Sequence, residues 1–126
     1  MSDTAGFTAY ETVSLMLEIE PSGSLEGYAE IVASVVQGAA RVDKSYEQDA
    51  PEVDVGNDTI NLRLEQEDTG KFRFYPPNAC GKADDRNPRV QVNVLYSDGE
   101  RDATDIGVLD VYEQLYKKEM RHEPAP

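Results

Sequence analysis

Histidine and cysteine, two side chains that often act as general base and nucleophile, occur only once each in this chain. His122 is the only histidine, and we interpret it as a solvated residue of a short tail over 121–126. Cys80 is the only cysteine and lies beside Gly81 in a polar stretch. A reactive thiol needs a base or a helix N-terminus beside it, and no histidine is near in sequence. The sequence therefore predicts no catalytic residue and a protein that is not an enzyme.

Carboxylates are abundant and could bind cations. They cluster at Asp49, Glu52, Asp54 and Asp58, and again at Asp84 and Asp85. Hard-cation sites need several oxygens at fixed spacing, and the EF-hand pattern is absent. The glycines form neither GxGxxG nor GxxxxGK, so no phosphate-binding loop is indicated. We expect no metal and no cofactor, and we interpret the acids as a hydrated surface.

The segment 76–88 is the most unusual connection in the sequence. It is longer than two neighbouring strands need, and long loops are often functional or disordered. A partner-contacting arm and a mobile loop are therefore both open. The residues predicted to contact a partner are Asn78, Cys80, Lys82, Asp84, Asp85 and Arg86 from this segment, with Asp49, Glu52 and Asp54 from the acidic stretch 43–58.

Apolar periodicity predicts the elements that would carry these residues. Period-two alternation predicts a strand over 12–20, with helix as the alternative. Three–four spacing over 24–38 favours a helix, although its β-branched residues leave a buried strand open. The acidic stretch 43–58 is predicted to be a surface connection.

The second half of the chain has the clearest strand patterns. Residues 60–64 and 72–74 alternate around Asp68-Thr69-Gly70, which predicts a hairpin, and 90–96 predicts a further strand. A broad apolar stripe over 102–120 predicts a final helix capped by Asp102. Together these segments predict an α+β fold, a small antiparallel sheet of three to four strands with helices packed on one face. We expect a single domain over 1–126, with its ordered core at about 8–120.

The charge of the chain points to its solvent. Acidic residues outnumber basic ones by 25 to 12, giving a formal net charge of -13 on 126 residues. Such a chain repels itself in dilute buffer, whereas molar salt shortens the Debye length to about 3 Å. We interpret the dispersed acid as adaptation to brine. The negative charge also disfavours binding to nucleic acids and to anionic membranes. No apolar run is long enough to span a membrane and no signal peptide is evident, so we expect a cytoplasmic protein.

The segment from Val90 to Leu115 resembles the end of a known family. Its predicted strand, short loop and helix are similar to those of tail-terminator and tail-completion proteins of tailed viruses. The resemblance implies a non-enzymatic ring that caps the tail tube at the head–tail joint. With the salt signal, it implies a virion component assembled in the cytoplasm of a halophilic archaeal host, with copies of itself and neighbouring virion proteins as partners.

Two other classes of function remain open from the sequence. An acidic protein could mimic nucleic acid and block the basic groove of a DNA-binding enzyme, although the acids and bases are interspersed rather than in rows. A small halophilic ligand-binding protein of the cytoplasm is the third hypothesis. The structural, assembly-forming protein is the prediction that we favour.

Overall fold

Strands with alternating apolar side chains account for nearly all of the regular structure. The structure is a computed structural model that describes residues 7–8 and 14–109. Its elements are β1 (Phe7–Thr8), β2 (Leu15–Ile19), β3 (Tyr28–Gln37), β4 (Ala40–Glu47), β5 (Val53–Asp54), β6 (Thr59–Leu64), α1 (Gln66–Thr69), β7 (Arg73–Phe74), β8 (Arg89–Tyr96) and β9 (Arg101–Val108).

The longer strands form two antiparallel sheets. One has the order β2-β6-β5 and the other the order β4-β3-β8-β9, while β1 and β7 pair separately. Alternate residues of both sheets enter a single buried cluster. Its fully buried members include Ile31, Val35, Ile60, Leu62, Leu64, Phe72, Phe74, Val90 and Val92. The two sheets therefore pack face to face as a β-sandwich, with the core between them.

Contacts between the sheets show which edges lie together. The hydroxyl groups of Ser22 and Thr104 are 3.2 Å apart, so the connection that follows β2 lies near β9. On the opposite side, the chain passes directly from β4 to β5 through residues 48–52. The Tyr28 hydroxyl accepts a hydrogen bond from the backbone N–H of Ala50 in this connection, at 3.3 Å. The sandwich is thus bridged at β4 and β5, and β2 and β9 lie on its other side.

The predicted α+β class is wrong, because the described residues contain only one short helix and otherwise form strands. The helix predicted over 24–38 is the ten-residue strand β3. Ile31, Val32, Val35 and Val36 are β-branched, and such side chains suit a pleated strand better than a helix. Apolar residues occur on both faces of β3, so their spacing resembles the three–four spacing of a helix.

The prediction of a final helix over 102–120 is also wrong for residues 102–108, which the structure describes as a strand. Residues Arg101–Val108 form the strand β9, which pairs with β8. The alternation of the strand is obscured because its register shifts between Val90 and Gln91 of β8, opposite Gly107 and Asp105. Gly107 has a φ of +104°, which only glycine adopts easily. The rest of this predicted helix, residues 110–120, and the predicted tail lie outside the described residues.

The predicted hairpin between 60–64 and 72–74 does not form. Its first strand exists as β6, but β6 pairs with β2 and β5, whereas β7 pairs with β1. The intervening residues start the helix α1, because Glu65 and Asp68 form a reciprocal capping box. This helical turn changes the direction of the chain, so Phe74 pairs with β1 rather than with β6.

The other predicted segments have mixed outcomes. The strand over 12–20 is confirmed at Leu15–Ile19, and that over 90–96 is confirmed by β8. The stretch 43–58 is not a connection throughout, because β4 extends to Glu47 and β5 follows at Val53–Asp54. The acids of β4 misled the prediction: Val42 and Tyr46 alternate with them and are buried.

Candidate functional site

The predicted contact residues lie at opposite ends of the sandwich. The loop 75–88 precedes β8 and lies beside the start of β4, since Arg86 and Arg41 line one depression. Asp49, Glu52 and Asp54 follow the end of β4 at Glu47. Six residues of strand separate Arg41 from Glu47, or about 20 Å. The residues predicted to contact a partner therefore lie on two separate surfaces.

The first surface is a depression of about 480 Å³ lined by Arg41, Arg86 and Arg89, which we call the arginine groove. Arg41 and Arg89 both lie directly opposite Val36 of β3, one on each neighbouring strand. Directly opposite residues share a face of a sheet, so both arginines lie on the outer face. Arg86 enters from the loop, and its guanidinium carbon is 3.9 Å from the centre of the Tyr75 ring.

Each groove arginine is paired with an aspartate. The pairs are Arg41 with Asp43 at 3.1 Å, Arg86 with Asp84 at 2.8 Å, and Arg89 with Asp105 at 2.8 Å. Hydrogen bonds from the Arg86 side chain and from its backbone N–H lower the pKa of Asp84 to about 2. These acids therefore stay ionised at neutral pH. They orient the guanidinium groups without using all five N–H donors of each.

Hydrogen bonds hold the loop against the sheet. Asn87 is buried; its Oδ1 accepts from Tyr75 N–H at 2.8 Å, and its Nδ2 donates to the Leu109 carbonyl at 3.1 Å. From β3, Gln37 Nε2 donates to the carbonyl of Arg86 at 2.8 Å. The Arg86 backbone is thus tied both to the end of β3 and, through its neighbour Asn87, to the end of β9. These bonds give the residues around Arg86 a defined position, and the contact role of the segment stays a prediction.

The tip of the same loop is a separate turn. The Asn78 Oδ1 accepts hydrogen bonds from the backbone N–H groups of Cys80 and Lys82, at 2.9 and 3.0 Å. Cys80 is an exposed free thiol. Asn78, Cys80 and Lys82 do not line the groove, whereas Asp85 does, and Asp84 supports it through Arg86.

The second surface is the acidic end, which comprises Glu30, Glu47, Asp49, Glu52 and Asp54. Glu30 and Glu47 lie directly opposite each other on β3 and β4. The backbone continues through Asp49 with a φ of +71°, and Tyr28 fixes the turn by donating from its hydroxyl to the Glu47 carbonyl at 2.8 Å. The five ion pairs between described residues include none of these acids.

Sequence reasoning missed Arg41, Arg89 and Glu30 as members of these surfaces. The alternation of Val42 and Tyr46 with charged residues was the available signal for β4, and it would have placed Arg41 on the outer face. The register that brings Arg41 and Arg89 to either side of Val36 is a long-range property. It could not be found from local pattern.

The comparisons with known proteins and the searches for binding features gave no positive result. Neither protein-family models, nor curated proteins, nor solved structures gave a match to this chain. Within residues 7–8 and 14–109, no three His, Cys, Asp or Glu side chains are grouped so as to hold a metal ion. Over the same residues, no helix has the length and apolar character needed to cross a membrane.

Proposed function

We propose that this protein is a non-catalytic structural component that works by assembling with copies of itself and with neighbouring proteins. The setting that we propose is the particle of a salt-adapted tailed virus, as a ring-forming tail-terminator or head–tail joining component. Composition supports the salty setting. The viral part rests on the sequence resemblance alone, and β9 replaces the first part of the helix that this resemblance implies.

One observation carries the assembly proposal: within residues 7–8 and 14–109, the side of the sandwich formed by β2 and β9 is open. No other described strand pairs with the outer edge of either. Towards the end of β9, Ile106, Gly107 and Val108 remain partly exposed. Unpaired strand edges are templates for contacts with another chain unless they are protected.

Within the described part of the chain, the edge of β2 lacks one protection that the other long edge strands have. An inward-facing charged residue blunts an edge strand. Lys44 has this position on β4, between Val42 and Tyr46, and Asp102 has it on β9, opposite Val94. The inward residues of β2 are Leu15, Leu17 and Ile19, all buried. On its outer face Met16 is 54% exposed, a large apolar side chain directly beside an open edge.

Substitution of Met16 tests this proposal. We expect the parent chain to be a multimer by light scattering in about 1 M KCl, where charge repulsion is screened. Met16→Glu places a charge beside the open edge, and we expect it to raise the dissociation constant of the multimer by about tenfold or more. The fold should persist, because the Met16 side chain points away from the core.

Val55→Glu is the matched control. Val55 is the other large apolar residue that is exposed among those described, at 37%, but it lies beyond β5, across the sandwich from β2. This variant should assemble like the parent. A parent chain that is strictly monomeric at every concentration and salt would overturn the proposal. Equal effects of the two substitutions would show that assembly does not use the β2 edge.

A further inference from the structure

We infer that two copies of the chain pair through β2, strand to strand and antiparallel, about a two-fold axis that passes beside Leu17. This inference rests on the proposed assembly function and names the surface and the partner strand for it. The three-stranded sheet of one copy then continues into that of the second, in the order β5-β6-β2-β2-β6-β5.

The first argument concerns which strand of a second copy fits the open edge of β2. The long edge strands β4 and β9 carry the inward-facing charges Lys44 and Asp102, and pairing with either would set a charge in line with the buried leucines of β2. The edges that β1, β5 and β7 offer are only two residues long. Among the described edge strands, β2 itself is the long one whose inner face is wholly apolar.

The charge pattern of β2 selects one register for this pairing. With Leu17 opposite Leu17 of the second copy, Leu15 lies opposite Ile19 and Met16 lies opposite Glu18, so buried side chains align with buried ones. All residues of β2 are then paired, and no two acids are directly opposite. Moving the axis to Glu18 would oppose the two Glu18 carboxylates, which destabilises a sheet. Moving it to Met16 would leave Glu18 and Ile19 without partners in the second β2.

The same register covers the exposed apolar side chain of β2. Met16 is exposed in a single copy. Diagonal neighbours across an antiparallel pair are about 7–8 Å apart, within reach of long side chains, and the two Met16 side chains lie on such a diagonal across the axis. The two Glu18 carboxylates lie on the other diagonal. Their repulsion is screened where the Debye length is about 3 Å, so association should strengthen with salt.

The symmetry of this contact limits the assembly that it can build. An isologous contact uses the same surface on both copies, so it closes at two copies. A larger ring therefore needs a second contact elsewhere on the molecule, and the β2-linked pair is its building unit.

A charge exchange across the axis tests the register. Met16→Glu places the new carboxylate opposite Glu18 of the second copy, and we expect the dissociation constant of the pair to rise by about tenfold or more. Adding Glu18→Lys to this variant gives each facing pair opposite charges at contact distance, so most of the loss should be recovered. Light scattering in about 1 M KCl measures each dissociation constant.

Met16→Glu with Glu52→Lys is the matched control for this exchange. It has the same net charge as the recovered variant, but Glu52 lies beyond β4, across the sandwich from β2. The loss of association caused by Met16→Glu should therefore remain.

Cross-linking tests the same register without relying on charge. In a Cys80→Ser background, Met16→Cys and Glu18→Cys chains are mixed and oxidised. Directly opposite residues have Cα atoms about 4.5–5.5 Å apart, inside the range that a disulfide spans. The mixture should therefore cross-link about tenfold faster than either chain alone, whose thiols lie on diagonals of about 7–8 Å. Circular dichroism establishes that each variant is folded.

The oligomeric state of the parent chain and these two readouts distinguish the possible failures. If the parent forms no multimer, the assembly function itself fails. If Met16→Glu weakens the multimer but Glu18→Lys does not recover it, or if the mixed thiols show no preference, the two-fold β2 pairing is wrong. The assembly function then stands, and the β2 edge holds a different segment.

Discussion

The position of Tyr46 in the sandwich changes the acidity of its phenol. The residue is buried on the inner face of β4. Burial, and secondarily the negative charge of Glu52, raise the pKa of its phenol from 10.0 to about 12. A raised pKa favours the protonated folded state. The corresponding stability is fully present below pH 10 and is lost as the pH rises through about 12.

Tyr46→Phe should therefore remove part of the alkaline sensitivity of the protein. Because Phe has no phenolic proton, we expect its free energy of unfolding to fall less steeply between pH 10 and about 12 than that of the parent. Denaturant titrations of both proteins across this range measure the difference. Parallel curves for parent and variant would contradict the prediction. Titration of the lysines affects both proteins alike and cancels in the comparison.

Among the strands, β4 depends on one inward-facing cation. The Lys44 Nζ is 2.8 Å from the Asp68 carboxylate in the helix α1. Burial alone would raise the pKa of Asp68, but hydrogen bonds from Lys44 and from the Glu65 N–H outweigh it, so this pKa is lowered from 3.8. The pair joins the edge strand of one sheet to the helix that follows β6 of the other. Its contribution to stability is present above pH 3.8 and is lost as the pH falls through the lowered pKa.

Lys44→Met should weaken the fold and expose the β4 edge to unwanted pairing. The variant keeps the aliphatic stem but leaves the Asp68 carboxylate without its cation, at a cost of about 1–3 kcal/mol in the free energy of unfolding. Loss of the inward charge should also promote aggregation at neutral pH. Chemical unfolding and light scattering measure the two effects.

Lys82→Met is the control for this substitution, because Lys82 is an exposed cation in the turn after Asn78. It should be nearly neutral in both measurements. The destabilisation caused by Lys44→Met should shrink at a pH low enough to protonate Asp68. A cost that does not change with pH would show that the aliphatic contacts, rather than the ion pair, are responsible.

The strands that sequence alone predicts well are those with one buried face. In β2, β6 and β8 buried residues alternate strictly with exposed ones over most of the strand. In β3 and β9 this local signal fails, for two different physical reasons. The central strand β3 has apolar residues on both faces, and β9 changes register at Gly107. The pairing partners of β6 and β7 depend on contacts far apart in the sequence, so no local pattern could reveal them.

The candidate surfaces were predictable only in part, for a similar reason. Unusual length identified the loop that contains Arg86, and local acidity identified Asp49 and Glu52. Their separation onto opposite ends of the sandwich follows from the β3–β4 hairpin, whose two-residue turn begins at Gly38 with a φ of +57°. A helix over 24–38 would have placed these segments differently. The separation of the two surfaces therefore depends on residues Tyr28–Gln37 forming a strand.

The charge of the complete chain governs how its stability responds to the solvent. Acidic residues exceed basic ones by 25 to 12, and the described residues contain five ion pairs. Most carboxylates of the described part therefore face water without a basic partner. Their mutual repulsion acts over a Debye length, which shortens from about 10 Å at 0.1 M salt to about 3 Å at 1 M. Folding brings these charges closer together, so salt should favour the folded state.

We therefore expect the thermal unfolding midpoint to rise steeply with KCl between about 0.1 M and 1 M, and the protein to lose cooperative unfolding in dilute buffer. Differential scanning calorimetry measures both effects. Sucrose is the control, because it strengthens the burial of apolar surface without screening charge, and it should not replace the salt. A cooperative, stable fold in nearly salt-free water would contradict the interpretation of the acids as adaptation to brine. The carboxylates would then be better explained by a dedicated cationic partner, such as the basic groove of a DNA-binding enzyme.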